Sequence, residues 1–140
     1  MAGIKDLGTL LSSIDPVLDE RSFVFCTFPE FHWDDVHQLN PIGFFHEKEG
    51  LTLIITQQEA INKNINYESV YKLISLNVHS SLDAVGLTAA FSTKLAEKNI
   101  SANVVAAYYQ DHIFVPEEKA EQALAAISEF RLQSHPVRLK

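Results

Sequence analysis

Two short stretches bring together residue types able to hold a small charged molecule. In the first, the apolar run Ile74-Ser75-Leu76-Asn77-Val78 gives way to His79-Ser80-Ser81-Leu82-Asp83-Ala84, and a helical pattern begins at Val85-Gly86-Leu87-Thr88. A strand end and a helix N-terminus leave free backbone N–H groups pointing into the same space. The helix dipole adds partial positive charge there, so a carboxylate is a natural guest. Gly86 lacks the Cβ that would hold a ligand away from the backbone. The second stretch is Gln110-Asp111, whose acid suits an ammonium group. A plainer reading covers the same residues. Gly86 packs a helix against a strand, Ser80 and Ser81 cap, and Gln110-Asp111 is ordinary turn chemistry. The residues alone leave both readings open.

Other reactive residues form no recognisable constellation. His79 and His112 flank the two stretches and serve either a ligand carboxylate or a structural hydrogen bond. His32, Asp34, Asp35 and His37 lie close in sequence, but their spacing matches no standard zinc signature and no cysteine joins them. Trp33 stands among them in an aromatic loop. Cys26 lies in the apolar run Phe23-Val24-Phe25-Cys26 and reads as a small core residue. No Gly-x-Ser-x-Gly elbow, phosphate loop or dinucleotide fingerprint is present. The expectation is a protein that is not an enzyme and has no cofactor, no metal and no catalytic residue.

Elements that would position these residues follow from the hydropathy pattern. Ile4, Leu7, Leu10, Leu11 and Ile14 share one helical face, which Asp15-Pro16 ends. Ser22 to Phe28 reads as a buried strand, and Pro29 to Pro41 as irregular. Ile42–His46 and Leu51–Thr56 form a hairpin around Glu47-Lys48-Glu49-Gly50. A short helix over 57–64 and a strand over 71–78 follow. The helix over 85–98 carries Leu87, Phe91 and Leu95 at spacings of four. Asn103–Tyr109 and His112–Val115 are strands around a tight Gln110-Asp111 turn. Pro116 and Glu117-Glu118 open the last long helix, to Arg131, with Val137–Leu139 as a final edge strand.

The second half therefore reads β-α-β-β-α-β, the split βαβ pattern of ferredoxin-like α+β folds. "EKEGLTLIITQQEA" in the first half and "YYQDHIFVPEEKA" in the second both make a hairpin followed by a polar helix start. This weak internal repeat predicts two ferredoxin-like units in tandem, over 1–66 and 67–140. The first is degraded, because 29–41 is short and irregular for a crossover helix.

Bulk properties bound the function classes. The chain has 140 residues, 46% hydrophobic and 21% charged, with a net charge of −7. No basic run is present, so nucleic acid and anionic membrane are poor partners. One cysteine cannot close a disulfide within the chain, which suits a reducing compartment. Residues 1–11 lack the basic flank and apolar core of a signal peptide, and no apolar stretch approaches the roughly 20 residues of a membrane helix. The expected location is the cytoplasm.

The segment from Leu76 to Ala120, with its acid-x-x-Gly-Leu motif Asp83-Ala84-Val85-Gly86-Leu87, resembles the ACT domain family of amino-acid-binding regulatory modules. The whole chain is similar to small bacterial stand-alone proteins with two ACT-like units, and to one half of the cytosolic arginine sensors of animal cells. That resemblance implies a ligand between two units. One unit would contribute Asp83, Ala84, Val85, Gly86, Leu87 and Thr88 from its loop, and Ala107, Tyr108 and Asp111 from a strand end. The neighbouring unit would contribute Ser101 and Ala102. Ala84 and Ala107 replace an acid and a hydroxyl of the sensors. This removes two groups suited to a cationic side chain and leaves a smaller or more apolar amino acid open beside arginine. It also implies a homodimer through the second unit and a regulatory role. A structural or protein-interaction module that keeps the fold without a ligand is the alternative.

Overall fold

A computed structural model of the protein describes residues 7–77 and 86–134. The described chain runs α1 (Leu7–Ser13), β1 (Pro16–Phe28), α2 (Trp33–Gln38), β2 (Gly43–Glu47), β3 (Gly50–Thr56), α3 (Gln57–Asn62), β4 (Tyr71–Leu76), α4 (Leu87–Glu97), β5 (Asn103–Ala106), β6 (Asp111–Pro116), a 3-10 turn (Glu117–Lys119) and α5 (Ala120–Ser134). Two compact units divide it. Glu20–Lys72 forms one; the described residues up to Asp19 join those from Leu73 onward in the other.

In the Glu20–Lys72 unit the strand order is β2-β3-β1, all antiparallel, with Phe25 opposite Ile54 and Phe45 opposite Thr52. Strand side chains alternate between the two faces. Val24 and Cys26 of β1 and Leu51, Leu53 and Ile55 of β3 therefore share one face, and they form a core with Val36 and Leu39 of the α2 region and Ala60 of α3. Cys26 is buried there as a core residue, and burial pushes its thiol up to about 11. Within the segment expected to be irregular, 29–41, six residues form α2. Local propensity gives it little, and burying Val36 against the sheet supplies the rest.

In the other unit β4, β6 and β5 lie in that order. The final strand expected at Val137–Leu139 lies outside the described residues. Ile74 and Leu76 of β4 and Ile113 and Val115 of β6 meet α1, α4 and α5 in one core. The predicted stripe of α4 holds: Leu87, Phe91 and Leu95 are all buried. Leu10 and Ile14 are fully buried in this core as well, so the N-terminal helix is integral to it. β1 begins at Pro16, earlier than the apolar run from Ser22 suggests.

Three helices stop in the same way. Asn40, Asn64 and Asn99 follow α2, α3 and α4 with φ of 49°, 56° and 59°. Asparagine tolerates this left-handed turn. After α3 and α4 the next residue closes the motif: Ile65 N–H donates to Ala60 O at 2.8 Å, and Ile100 N–H to Leu95 O at 2.9 Å.

Gly50, at the β2–β3 turn, has φ +155°, and a Cβ there would stand 2.8 Å from Phe28 O. Gly43 has ordinary room, its Cβ meeting Ile54 Cδ1 at 3.7 Å. Gly50→Ala is expected to cost about 1–3 kcal/mol in urea unfolding, the scale of stored backbone strain. Gly43→Ala is expected to cost clearly less; equal losses would remove the steric account.

Candidate functional site

Strand β4 ends beside the start of β6, and hydrogen bonds fix that junction. Gln110 Nε2 donates to Asn77 Oδ1 at 2.6 Å, and Asn77 N–H donates to Asp15 O at 2.9 Å. Two residues further in on each strand, Ser75 Oγ and His112 Nδ1 lie 2.8 Å apart. The connection to α4 leaves this junction after Asn77.

Asp111 is the first residue of β6 and lies opposite Ala106 of β5. This corrects the expected turn at Gln110-Asp111. The two-residue loop is Tyr108-Tyr109, flanked by Ala107 N–H donating to Gln110 O at 3.0 Å. Strand alternation gives Asp111 the same face as Ile113 and Val115, the core side beneath the helices. Asp111 is 8% exposed, and it is the buried charged residue among those described. Burial raises its pKa above the usual carboxylate value, and the neighbouring imidazole of His112 partly offsets this. His112 faces the opposite side of the sheet with Ser75. Burial lowers its pKa, with Asp111 opposing the shift.

Gly86 is the N-cap of α4, with φ 96° and its carbonyl accepting from Ala90 N–H at 2.9 Å. The helix thus begins at Leu87, two residues after the expected start. Leu87 is buried in the core and Thr88 is exposed on the first turn. A Cβ on Gly86 would meet Leu7 Cδ2 at 3.1 Å. The space opened by the missing side chain is therefore filled on that side by α1. Asp83, Ala84, Val85 and His79 lie outside the described residues.

The remaining candidates divide between the two ends of the β5–β6 hairpin. Ala107, half-buried, and Tyr108, 68% exposed with its ring edge-on to Tyr109, stand at the Asp111 end. Ser101, exposed, and Ala102, packed against the core, precede Asn103, which pairs with Phe114 at the other end. Strands rise about 3.3 Å per residue, so within one unit Ser101 and Ala102 are not brought to Asp111. Asn77 and Gln110 belong to the junction and were not among the expected site residues. The signal for both was a polar residue placed where an apolar strand meets its turn. Among the described residues no group of histidine, cysteine and acidic side chains could hold a metal ion. His32, Asp34, Asp35 and His37 are exposed, and Trp33 instead packs edge-on to Phe31 and Phe44 at 5.0 and 5.4 Å. No helix among the described residues is long and apolar enough to cross a membrane.

Comparison with known proteins places this geometry. Sequence patterns of the ACT domain match residues 2–72 and again 68–129. No curated protein matches the sequence. A crystal structure of a Vibrio cholerae protein of unknown function and possible transport role is 51% identical, with a TM-score of 0.82 over 93% of this chain and 99% of that one. The ligand-free regulatory subunit of aspartate kinase from Thermus thermophilus shares the fold at 11% identity, with a TM-score of 0.60 over 89% of this chain and 99% of the subunit. The aspartate kinase of Clostridium acetobutylicum shares it at 10% identity and a TM-score of 0.62, over 86% of this chain and 35% of the enzyme. With two such matches in tandem and a ferredoxin-like arrangement in each unit, the chain belongs to the ACT domain family.

Proposed function

We propose that this protein is a regulatory module that binds a small molecule, an amino acid, and catalyses no reaction. The observation that carries the reading is Asp111. A carboxylate withdrawn from water on the core side of β6 has its charged form disfavoured by burial, and it stands at the junction where the chain leaves β4 for α4. An ammonium group would stabilise its charged form. The first turn of α4, with Leu87, Thr88 and the N–H groups beside Gly86, suits the ligand carboxylate. Asp83, Ala84, Val85, Ala107 and Tyr108 complete the proposed surroundings. Ser101 and Ala102 would come from a neighbouring unit, which makes a homodimer through the second unit part of the proposal. The resemblance of the fold to aspartate kinase regulatory subunits supports a regulatory role.

One observation favours the alternative, an interaction module without a ligand. The Leu7 side chain occupies the approach to Gly86, which makes the glycine explicable by packing. Gly86 variants cannot separate the two readings, because a φ of 96° penalises any side chain there.

Thermal unfolding across a panel of the amino acids does separate them. A bound amino acid at 100 times its Kd stabilises the protein by about 2.7 kcal/mol, whereas a uniformly flat panel supports the interaction module. Asp111→Asn gives the second test, with two readouts of opposite sign. A carboxylate whose folded pKa is raised contributes stability below its unfolded pKa and loses it as pH rises through the folded value. At pH 7 Asp111 therefore burdens the fold. The variant is expected to melt higher than the parent at pH 7, with the gain shrinking as the pH falls toward 3.8, the ordinary carboxylate value. His112 makes the parent and the variant alike lose stability as pH falls below 6.5. The same variant is expected to lose about 1.5–3 kcal/mol of ligand binding, the contribution of a charged hydrogen bond. Lower stability with unchanged affinity would assign Asp111 to the fold alone. Sedimentation at micromolar concentration is expected to show a dimer, and a strict monomer would remove the shared site.

A further inference from the structure

β2 is the edge strand of the Glu20–Lys72 unit, and no strand of the described residues lies beyond it. Its ladder to β3 fixes which backbone groups face outward. Ile42 N–H donates to Ile54 O at 2.9 Å, so the carbonyl of Ile54, opposite Gly43, points toward β2. Antiparallel strands exchange hydrogen bonds at alternate pairs. Gly43, Phe45 and Glu47 therefore use their backbone groups on β3, while the N–H and C=O groups of Phe44 and His46 point outward from the edge. Edge strands are commonly blunted by proline or by charged side chains, and residues 43–46 carry neither.

Both faces of this edge are apolar and open. Phe44 and His46 lie opposite Leu53 and Leu51 and so share the helix side of the sheet. Trp33 of α2 stands beside them, edge-on to Phe44 at 5.4 Å and to His46 at 5.7 Å. An open groove of about 480 Å³ runs along this side, lined by Trp33, Val36, Pro41 and Phe44 with His37 and Asn40. Phe45, opposite Thr52, takes the other face. Trp33 and Phe44 are each 50% exposed and Phe45 70%, the kind of apolar surface that marks an interaction site.

The backbone pattern selects the occupant. A helix keeps its backbone groups for itself, whereas an extended chain offers N–H and C=O groups at every second residue, the spacing of Phe44 and His46. Charge then decides between two extended partners. Residues 30–50 include Glu30, Asp34, Asp35, Glu47 and Glu49 against Lys48 alone, with no arginine. A second copy of β2 brings the same sign to the edge and is disfavoured; a basic segment is complementary. We propose that β2 is a docking edge for an extended, basic segment of another protein, which adds as a further strand beside Phe44 and His46 and lays a large apolar side chain in the Trp33 groove. The surface uses none of the residues of the site at β6 and stands independently of the proposed function.

The test is an amide-resolved NMR titration of the full chain with the peptide acetyl-Lys-Val-Lys-Trp-Lys-Val-amide, whose apolar and basic side chains alternate. Two controls accompany it: the same peptide with glutamate for every lysine, and the lysine peptide N-methylated at Trp and the last Val. The lysine peptide is expected to shift the amides of Phe44, Phe45 and His46 and the indole of Trp33 saturably. The glutamate form is expected to bind several-fold more weakly, and the N-methylated form about tenfold more weakly, the scale of a lost backbone hydrogen bond. His46→Pro removes one outward N–H and leaves the ladder to β3 in place; it is expected to weaken the lysine peptide about tenfold as well, and His46→Ala, which keeps that N–H, clearly less. The N-methylated peptide asks the same question without altering the protein. No saturable shift at millimolar lysine peptide overturns the proposal. Equal binding of the N-methylated form overturns it too, since apolar contact alone would explain that result. Shifts of the same amides with protein concentration in the absence of peptide would assign the edge to a second copy and end the proposal.

Discussion

The two-residue period of β6 is the constraint from which the candidate site follows. Ile113 and Val115 must face the helices, because the core of that unit is built on them. Once they do, Asp111 faces the same way, and a single-residue slip would turn the whole set outward. The carboxylate is therefore held on the core side by its neighbours' hydrophobicity rather than by any preference of its own. The same alternation sends His112 to the opposite face, where it meets Ser75. A buried acid and a half-buried imidazole thus sit next to each other in sequence with their side chains on opposite sides of one sheet.

What surrounds Asp111 is also dictated by packing. β4 brings Ile74 and Leu76 to the same core, which fixes where that strand ends and hence where the connection to α4 begins. The Gln110–Asn77 and Asn77–Asp15 hydrogen bonds hold the three chain segments at that end in register. Gly86 is required by its backbone conformation and by Leu7. Glycine at this position is thus explained without a ligand, whereas strand alternation explains where Asp111 points but not why that position carries an acid. The proposed function therefore rests on the acid rather than on the glycine, where the sequence motif had put it.

Much of this was legible in the residues. The spacing of Leu87, Phe91 and Leu95 announced α4 and its buried face, and the alternating apolar residues around Glu47–Gly50 announced the β2–β3 hairpin. The acid-x-x-Gly-Leu motif carried the family. Other features depended on distant parts of the chain. Gln110-Asp111 has good turn chemistry, yet Tyr108-Tyr109 makes the turn, because moving it would take Ile113 and Val115 off the core face. α2 has too little propensity to stand alone and exists through Val36. The helical face of Leu7, Leu10, Leu11 and Ile14 was legible, but local pattern could not say that Leu10 and Ile14 pack in a core built mainly from residues after Leu73.

The proposed role of Asp111 rests on a carboxyl whose pKa burial raises above the ordinary value. Direct titration of its side-chain carboxyl by carbon-detected NMR tests it, with and without whichever amino acid stabilises the protein. The account predicts a pKa above the ordinary 3.8 in the free protein and a fall when that amino acid is bound, since an ammonium beside the carboxylate favours its charged form. A carboxyl that titrates at the ordinary value, or one that stays unmoved while the amino acid binds, would contradict it.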